Sequence, residues 1–297
     1  MKRPFIRSTA AFLAVGVVLA ALRAALVVNH IEKNAFDSSA YTLPDSAPFR
    51  LFAVLAALYC VAAAVFGIAK SPRGRVCRPE QSAPAPTAAA FAVALAFIVQ
   101  AAMFVVYCAE NKMQPTADNI IQAAFALAAS LLFFLPLGVR FIGGAKAPLP
   151  LFTAFVPVLY CCARLIVDFV RTNAAPMESS NAYHILSLVA LLMLVTAESA
   201  SRMRQVAPFR FLAFGYTAAA FLLVYAAPNL VLPAFGLLEF DYLTIVSVGD
   251  ICLAFYCAAR VSTCVTEKAP KTPGNGKKGG KPAETEQAEE NGGSPRE

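Results

Sequence analysis

Four ionisable side chains stand inside otherwise apolar stretches of this 297-residue chain: Arg23, Arg164, Asp168 and Asp250. Each costs roughly 2.5 to 3.5 kcal/mol at the centre of a membrane helix on insertion scales, so such residues mark helix pairing, ion or ligand pathways, or proton relays. Tyr160, Arg164 and Asp168 follow at i, i+4 and i+8, on one stripe of a helix, which lets Arg164 pair with Asp168. Thr244, Ser247 and Asp250 repeat at i, i+3 and i+6, a second polar stripe suited to a water-filled approach. His184 sits about one turn inside its own apolar run, and an imidazole, titrating ordinarily near ~6.5, is a pH-responsive group. The formal charges of the four cancel. Counted from the run ends, Arg23, Arg164 and Asp250 lie within about two helical turns of one another in depth. The expectation is one polar cluster of Arg23, Arg164, Asp168, Asp250 and His184, lined by Tyr160, Thr244 and Ser247. The competing reading is that these charges pair off to fix helix register. Glu198 stands one turn before Arg202, where an i, i+4 ion pair is expected.

Enzyme chemistry finds little purchase. The chain has no HExxH, GxSxG or GxxxxGK[ST] phosphate-cradling loop, and His30 and His184 are its only histidines. Ser247-Val248-Gly249-Asp250 resembles the GxGD of intramembrane aspartyl proteases without its first glycine or a partner Tyr-Asp. Glu198 to Arg202 has the glutamate-to-arginine spacing of prenyl-protein proteases without the paired glutamate or later histidines. No catalytic residue, metal site or cofactor is expected. Six of the eight cysteines, Cys60, Cys108, Cys161, Cys162, Cys252 and Cys257, fall in apolar runs, while Cys77 and Cys264 lie in basic segments. No CxxC occurs, and all eight are read as small packing residues.

The elements that must position these side chains follow from composition. The chain is 59% hydrophobic and 14% charged, far from the globular balance of roughly half and a quarter, and its mean hydropathy is +0.62. About 20 apolar residues in helix cross a hydrocarbon core, and the helix alone bonds all its backbone polar groups internally. Apolar runs cover 8–28, 51–69, 87–109, 119–139, 149–170, 182–200, 209–227 and 238–259. The predicted fold is all-α: a polytopic bundle of about eight transmembrane helices over residues 1–264, laid out as four hairpins, with a disordered tail over 265–297. Prolines at 44–48, 79–86, 115, 148–150, 176, 208, 228 and 233 punctuate the runs, whereas Pro136 and Pro157 fall inside them and should kink their helices.

The net charge of +7 does not point to nucleic acid. Residues 261–297 hold six Lys or Arg and six Glu, so the excess sits in the loops. Basic residues concentrate at 2–7, 70–78, 140–146, 202–210 and from Arg260 onward, in every second connection. That alternation places both termini in the cytoplasm. The partners expected are the lipid bilayer, a small solute, and a membrane or cytoplasmic protein. The hairpin starts near 10, 90, 151 and 210, together with Phe12 before Arg23 and Phe152 before Arg164, suggest an internal repeat.

The stretch Tyr160-Cys-Cys-Ala-Arg164-Leu-Ile-Val-Asp168-Phe169, the polar Ser179-Ser180-Asn181 turn, and the run to Glu198-Ser-Ala-Ser-Arg202 resemble a hairpin in an uncharacterised family of polytopic, about eight-span membrane proteins from clostridial bacteria. Tyr160 stands four residues before the arginine where that family has its usual aromatic, and the return helix is poorer in phenylalanine. The resemblance implies a bacterial plasma membrane and the hairpin layout, and brings no activity. Taken together, the sequence points to a non-enzymatic small-solute permease or membrane accessory subunit. A sensor or scaffold recruiting a cytoplasmic partner through the tail is the alternative, with a lipid-directed intramembrane enzyme third.

Overall fold

The computed structural model describes residues 6–33, 47–71, 75–79, 84–110, 120–121, 123–131, 156–173, 179–203, 208–238, 240 and 242–268. These hold eight helices: α1 (Ile6–Lys33), α2 (Ala47–Ala69), α3 (Pro84–Glu110), α4 (helical residues 120–121 and 123–131), α5 (Val156–Asn173), α6 (Ser179–Met203), α7 (Pro208–Ala234) and α8 (Tyr242–Ser262). Six of them, α1, α2, α3, α6, α7 and α8, are long and apolar enough to cross a membrane. Helix α5 has the length, 18 residues, but carries Arg164, Asp168 and Arg171.

The bundle turns large apolar side chains outward, and inside it combines leucine and phenylalanine with small residues and a few polar ones. Along α2 the buried stripe is Phe52, Ala56, Tyr59, Ala63 and Gly67, while Leu51, Val54, Leu58, Val61, Val65 and Ile68 face outward. In lipid there is no hydrophobic gain from burying leucine, so close packing of small residues decides which face turns inward. Helix α5 follows the same rule, with Leu159, Ile166, Phe169 and Val170 outside and Tyr160, Cys161 and Asp168 inside.

Helix α7 is the hub: 83% of its apolar window is buried, against 28% for α2 and α3. It packs on α1, α2, α6 and α8, while α3 leans on α8 and α5 on α6. The chain runs out and back in hairpin order, yet α1 and α2 lie mainly against α7 and only slightly against each other. Glycine makes the closest approaches. A Cβ at Gly16 would stand 3.1 Å from the Ala220 Cβ, and one at Gly215 would collide with Val261 Cγ2 on α8. The α1–α2–α7 contact is fixed further by Phe12 stacked on Tyr216 at 4.4 Å and by Tyr59, whose hydroxyl lies 3.2 Å from the carbonyls of Phe12 and Tyr216.

Pro157 is the second described residue of α5, and the residues before Val156 lie outside the described ones. Two other prolines sit differently from the sequence expectation. Pro228 and Pro233, expected between runs, lie inside α7, which continues to Ala234 and buries Pro228. The helix ends instead at Gly236, whose φ of 70° suits glycine, with Leu237 N–H bonded to the Leu232 carbonyl and Gly236 N–H to that of Pro233. Pro136 lies outside the described residues.

One element was not anticipated. Strands β1 (Arg75–Pro79) and β2 (Cys264–Lys268) pair antiparallel, tying the connection after α2 to the segment after α8; β2 includes residues 265–268, which the sequence assigns to the tail. Cys264 is disulfide-bonded, so it is a cross-linking residue and not a packing residue. Along the strand pair Cys77 lies opposite Thr266, in the register two positions from Cys264.

Two outcomes are expected. Gly215→Ala should destabilise the bundle by about 1–3 kcal/mol, the usual range for overpacking, and Val261→Ala should recover most of the loss in a detergent thermal melt. Denatured protein prepared without reductant should titrate six thiols with Ellman's reagent and eight after reduction; eight without reduction would exclude the cross-link.

Candidate functional site

Helices α5, α6 and α8 bring four of the sequence candidates into one network. On α5, Arg164 and Asp168 are one turn apart, and Arg164 Nε is 3.6 Å from Asp168 Oδ2. The stronger partner is across the bundle: Arg164 Nη1 lies 2.7 Å from Asp250 Oδ1, and Nη2 lies 3.0 Å from Asp250 Oδ2. Of these two contacts the Nη2–Oδ2 one is a hydrogen bond and the other a close ion contact. His184 on α6 completes the group. Its Nε2 is 3.3 Å from Arg164 Nη2, 3.7 Å from Asp168 Oδ2 and 4.0 Å from Asp250 Oδ2. All four side chains are buried or nearly so, Asp250 completely.

Aromatic and hydroxyl groups hold this network in place. The imidazole of His184 stacks on Tyr225 of α7 at 4.0 Å and 7°. Tyr160, one turn before Arg164, is buried and packs against Phe97 of α3 at 5.8 Å. The α8 stripe of Thr244, Ser247 and Asp250 points inward along its whole length, and Ser247 Oγ accepts from Asn229 Nδ2 of α7 at 3.1 Å. Tyr225 and Asn229 were absent from the sequence candidates. Asn229 follows Pro228, which reads as a loop signal, and Tyr225 sits one turn earlier in an ordinary apolar run.

Arg23 does not join the network. Its guanidinium lies over the Tyr183 ring at 4.3 Å and the Phe52 ring at 5.6 Å, and among the described residues no carboxylate pairs with it. It is only 2% exposed. Glu198 reaches across the bundle: it bonds Arg260 on α8 and accepts from the Tyr256 hydroxyl at 3.3 Å, while the side chain of Arg202, its expected i, i+4 partner, lies outside what is described. Both Glu198 and Arg260 are buried, so α6 and α8 share a second charged contact.

Chemically, the first network can hold and release a proton. With a neutral imidazole its charge sum is one negative, from two carboxylates and one guanidinium; a protonated His184 makes it neutral. Cations and carboxylates in low dielectric interact strongly, and loss of one partner leaves a buried uncompensated charge.

No protein-family model, curated protein or solved structure matches the chain.

Because Asp250 is the closer partner and the hydrogen-bonded one, Arg164→Gln should destabilise the protein by about 3–5 kcal/mol, the range for breaking a buried pair. Asp250→Asn should rescue that variant in thermal melts more than Asp168→Asn does. Equal rescue by the two would mean that the guanidinium has no preferred partner.

Proposed function

We propose that this bundle is a proton-responsive permease for a small solute, working without covalent catalysis in a bacterial plasma membrane. One observation carries the reading: a single nitrogen, His184 Nε2, faces a guanidinium donor and two carboxylate acceptors within 4.0 Å. Neutral, with Nε2 bare, the imidazole accepts a hydrogen bond from Arg164. Protonated, the same nitrogen donates to Asp168 or Asp250 and repels Arg164. The groups facing it are Arg164 and Asp168 from α5, Asp250 from α8 and the stacked Tyr225 from α7. One proton thus changes which helix His184 is bonded to, and a two-state contact between helices is what a coupled carrier needs.

The second buried pair supports the same reading. Glu198 and Arg260 lie ten residues along α8 from the first network, or about 15 Å of helix. Between the two lie buried apolar residues: Leu188, Leu191 and Leu194 on α6, with Leu253 and Cys257 on α8. Two charged contacts separated by an apolar section give the bundle two points of closure. A purely structural pair requires neither the second closure nor an imidazole poised between opposite charges.

The alternating basic connections support an orientation with both termini in the cytoplasm. In that orientation β1, β2 and the disulfide-bonded Cys264 lie on the cytoplasmic side. A reporter fused after Lys268 is expected to report cytoplasm; a periplasmic signal would invert the bundle.

The functional test is flux. Proteoliposomes containing a trapped pH dye, given sugars, amino acids, carboxylates and amines in turn, should acidify with at least one solute. His184→Gln, if folded as judged by its melt, should abolish that proton movement. A folded wild-type protein that moves no proton with any of these classes contradicts the proposal.

A further inference from the structure

Three exposed cations converge at one end of the bundle. The rings of Phe12 on α1, Phe66 on α2 and Tyr216 on α7 pack on one another with centroids 4.4, 5.3 and 6.0 Å apart, and so mark a common depth for the three helices. Helices α1 and α7 run inward from this end and α2 runs out toward it. Arg7 lies five residues before Phe12, Arg210 six before Tyr216, and Lys70 four after Phe66. Lys70 N–H still bonds the Phe66 carbonyl, so the helical rise holds to that residue. At about 1.5 Å per residue the three backbones stand about 6 to 9 Å beyond the rings, level within one helical turn. Two contacts tie the same end together: the Tyr216 hydroxyl donates to Ser8 Oγ at 3.3 Å, and a Cβ at Gly67 would lie 3.1 Å from the Phe209 carbonyl oxygen. Arg7, Lys70 and Arg210 are all exposed. The stretches of sequence that contain them, 1–12, 66–83 and 199–212, hold ten Lys or Arg and one acid, Glu80.

The surface beside these cations is apolar. Outward-facing Ile6 adjoins Arg7, and Ile68, Val65 and Val61 continue inward from Lys70 along α2, all strongly exposed. An occupant that matches both features carries an anionic head and an apolar body. A soluble acidic peptide or a nucleic acid would leave the valines and isoleucines uncovered. We propose that this end of α1, α2 and α7 binds an anionic phospholipid, its phosphate held by Arg7, Lys70 and Arg210 and its acyl chains laid along Ile68, Val65 and Val61. The arginines offer planar forks that suit phosphate, and the lysine a mobile point charge. Long basic side chains at helix ends reach the headgroup level while their stems stay on apolar surface, and Lys70 shows this, with Nζ over the Phe66 ring at 5.8 Å. The site stands apart from the permease reading and does not rest on it. With the basic connections in the cytoplasm it opens to the leaflet that carries anionic lipid.

The test uses the full chain in phosphatidylcholine vesicles that carry a trace of nitroxide-labelled phosphatidylglycerol or nitroxide-labelled phosphatidylcholine, with the protein-immobilised fraction read by electron spin resonance. Wild type should immobilise more of the labelled phosphatidylglycerol. Arg7→Gln, Lys70→Gln and Arg210→Gln should each cut that preference by up to about fivefold, the effect of one basic side chain beside an anionic surface. The triple variant should hold the two lipids equally. Lys33→Gln removes a charge at the opposite end of α1 and should leave the preference as it is. If the triple variant fails to fold, as judged by its melt, the three single variants and Lys33→Gln carry the test. Equal retention of both lipids by wild type, or a preference that falls as far in Lys33→Gln as in the other three, overturns the site. Displacement of the labelled phosphatidylglycerol by inorganic phosphate, at an ionic strength where chloride leaves it bound, overturns the lipid and assigns the three cations to a soluble phosphate.

Discussion

The bond between Arg164 and Asp250 is the constraint on which the rest of this molecule turns. It joins α5 to α8 across the inside of the bundle, at 2.7 and 3.0 Å, in a setting where each ion alone is expensive. Helix α5 has few other reasons to stay. It packs chiefly on α6, and its three charges make it the least apolar of the fully described long helices. The pair thus supplies direction: it selects one rotation of α5 and α8, the one that also places Asp168 and His184 in reach. Once α8 is so rotated, the stripe of Thr244 and Ser247 faces inward, and Asn229 of α7 can bond Ser247.

Around that bond the packing is dense and uncharged. Helix α7 carries almost no polar side chain in its middle and is buried on most sides. It acts as a fixed core against which α1, α2, α6 and α8 lie, with glycines at 16 and 215 setting the closest contacts. A rigid hub flanked by helices held through titratable contacts can give two discrete arrangements of the outer helices, because packed interfaces switch between states and do not deform continuously. Helices α6 and α8 share two charged contacts, His184–Asp250 at mid-α8 and Glu198–Arg260 near its C-terminal end, which is where the proposed switch would act.

Much of this was legible in the sequence, and the failures share one physical origin. Apolar runs located the helices because lipid imposes a length and forbids unbonded backbone. Charges inside those runs located Arg164, Asp168 and Asp250, and the i, i+4 rule found the Arg164–Asp168 contact. Depth can be counted along a helix; azimuth and neighbour cannot. Arg23 matched the cluster in depth, yet α1 lies against α7 with its arginine turned to Tyr183 and Phe52. Local spacing could not show that Glu198 bonds Arg260, 62 residues away. The disulfide at Cys264 and the β1–β2 pair involve segments distant in sequence, and neither spacing nor propensity marks them. Pro228 and Pro233 read as boundaries because their missing N–H matters in water more than in a helix packed on all sides.

The central claim is that His184 changes partner with its proton, and nitrogen NMR reads this directly. Only two histidines occur in the chain, so a His30→Gln protein with labelled imidazole reports His184 alone. Between about pH 8 and about pH 5, across the range where imidazole ordinarily titrates, Nε2 should pass from an acceptor-type to a protonated-donor shift, and the Arg164 Nη signals should move with it. An Nε2 resonance constant over that range, or one that titrates while the Arg164 signals stay fixed, would contradict the account.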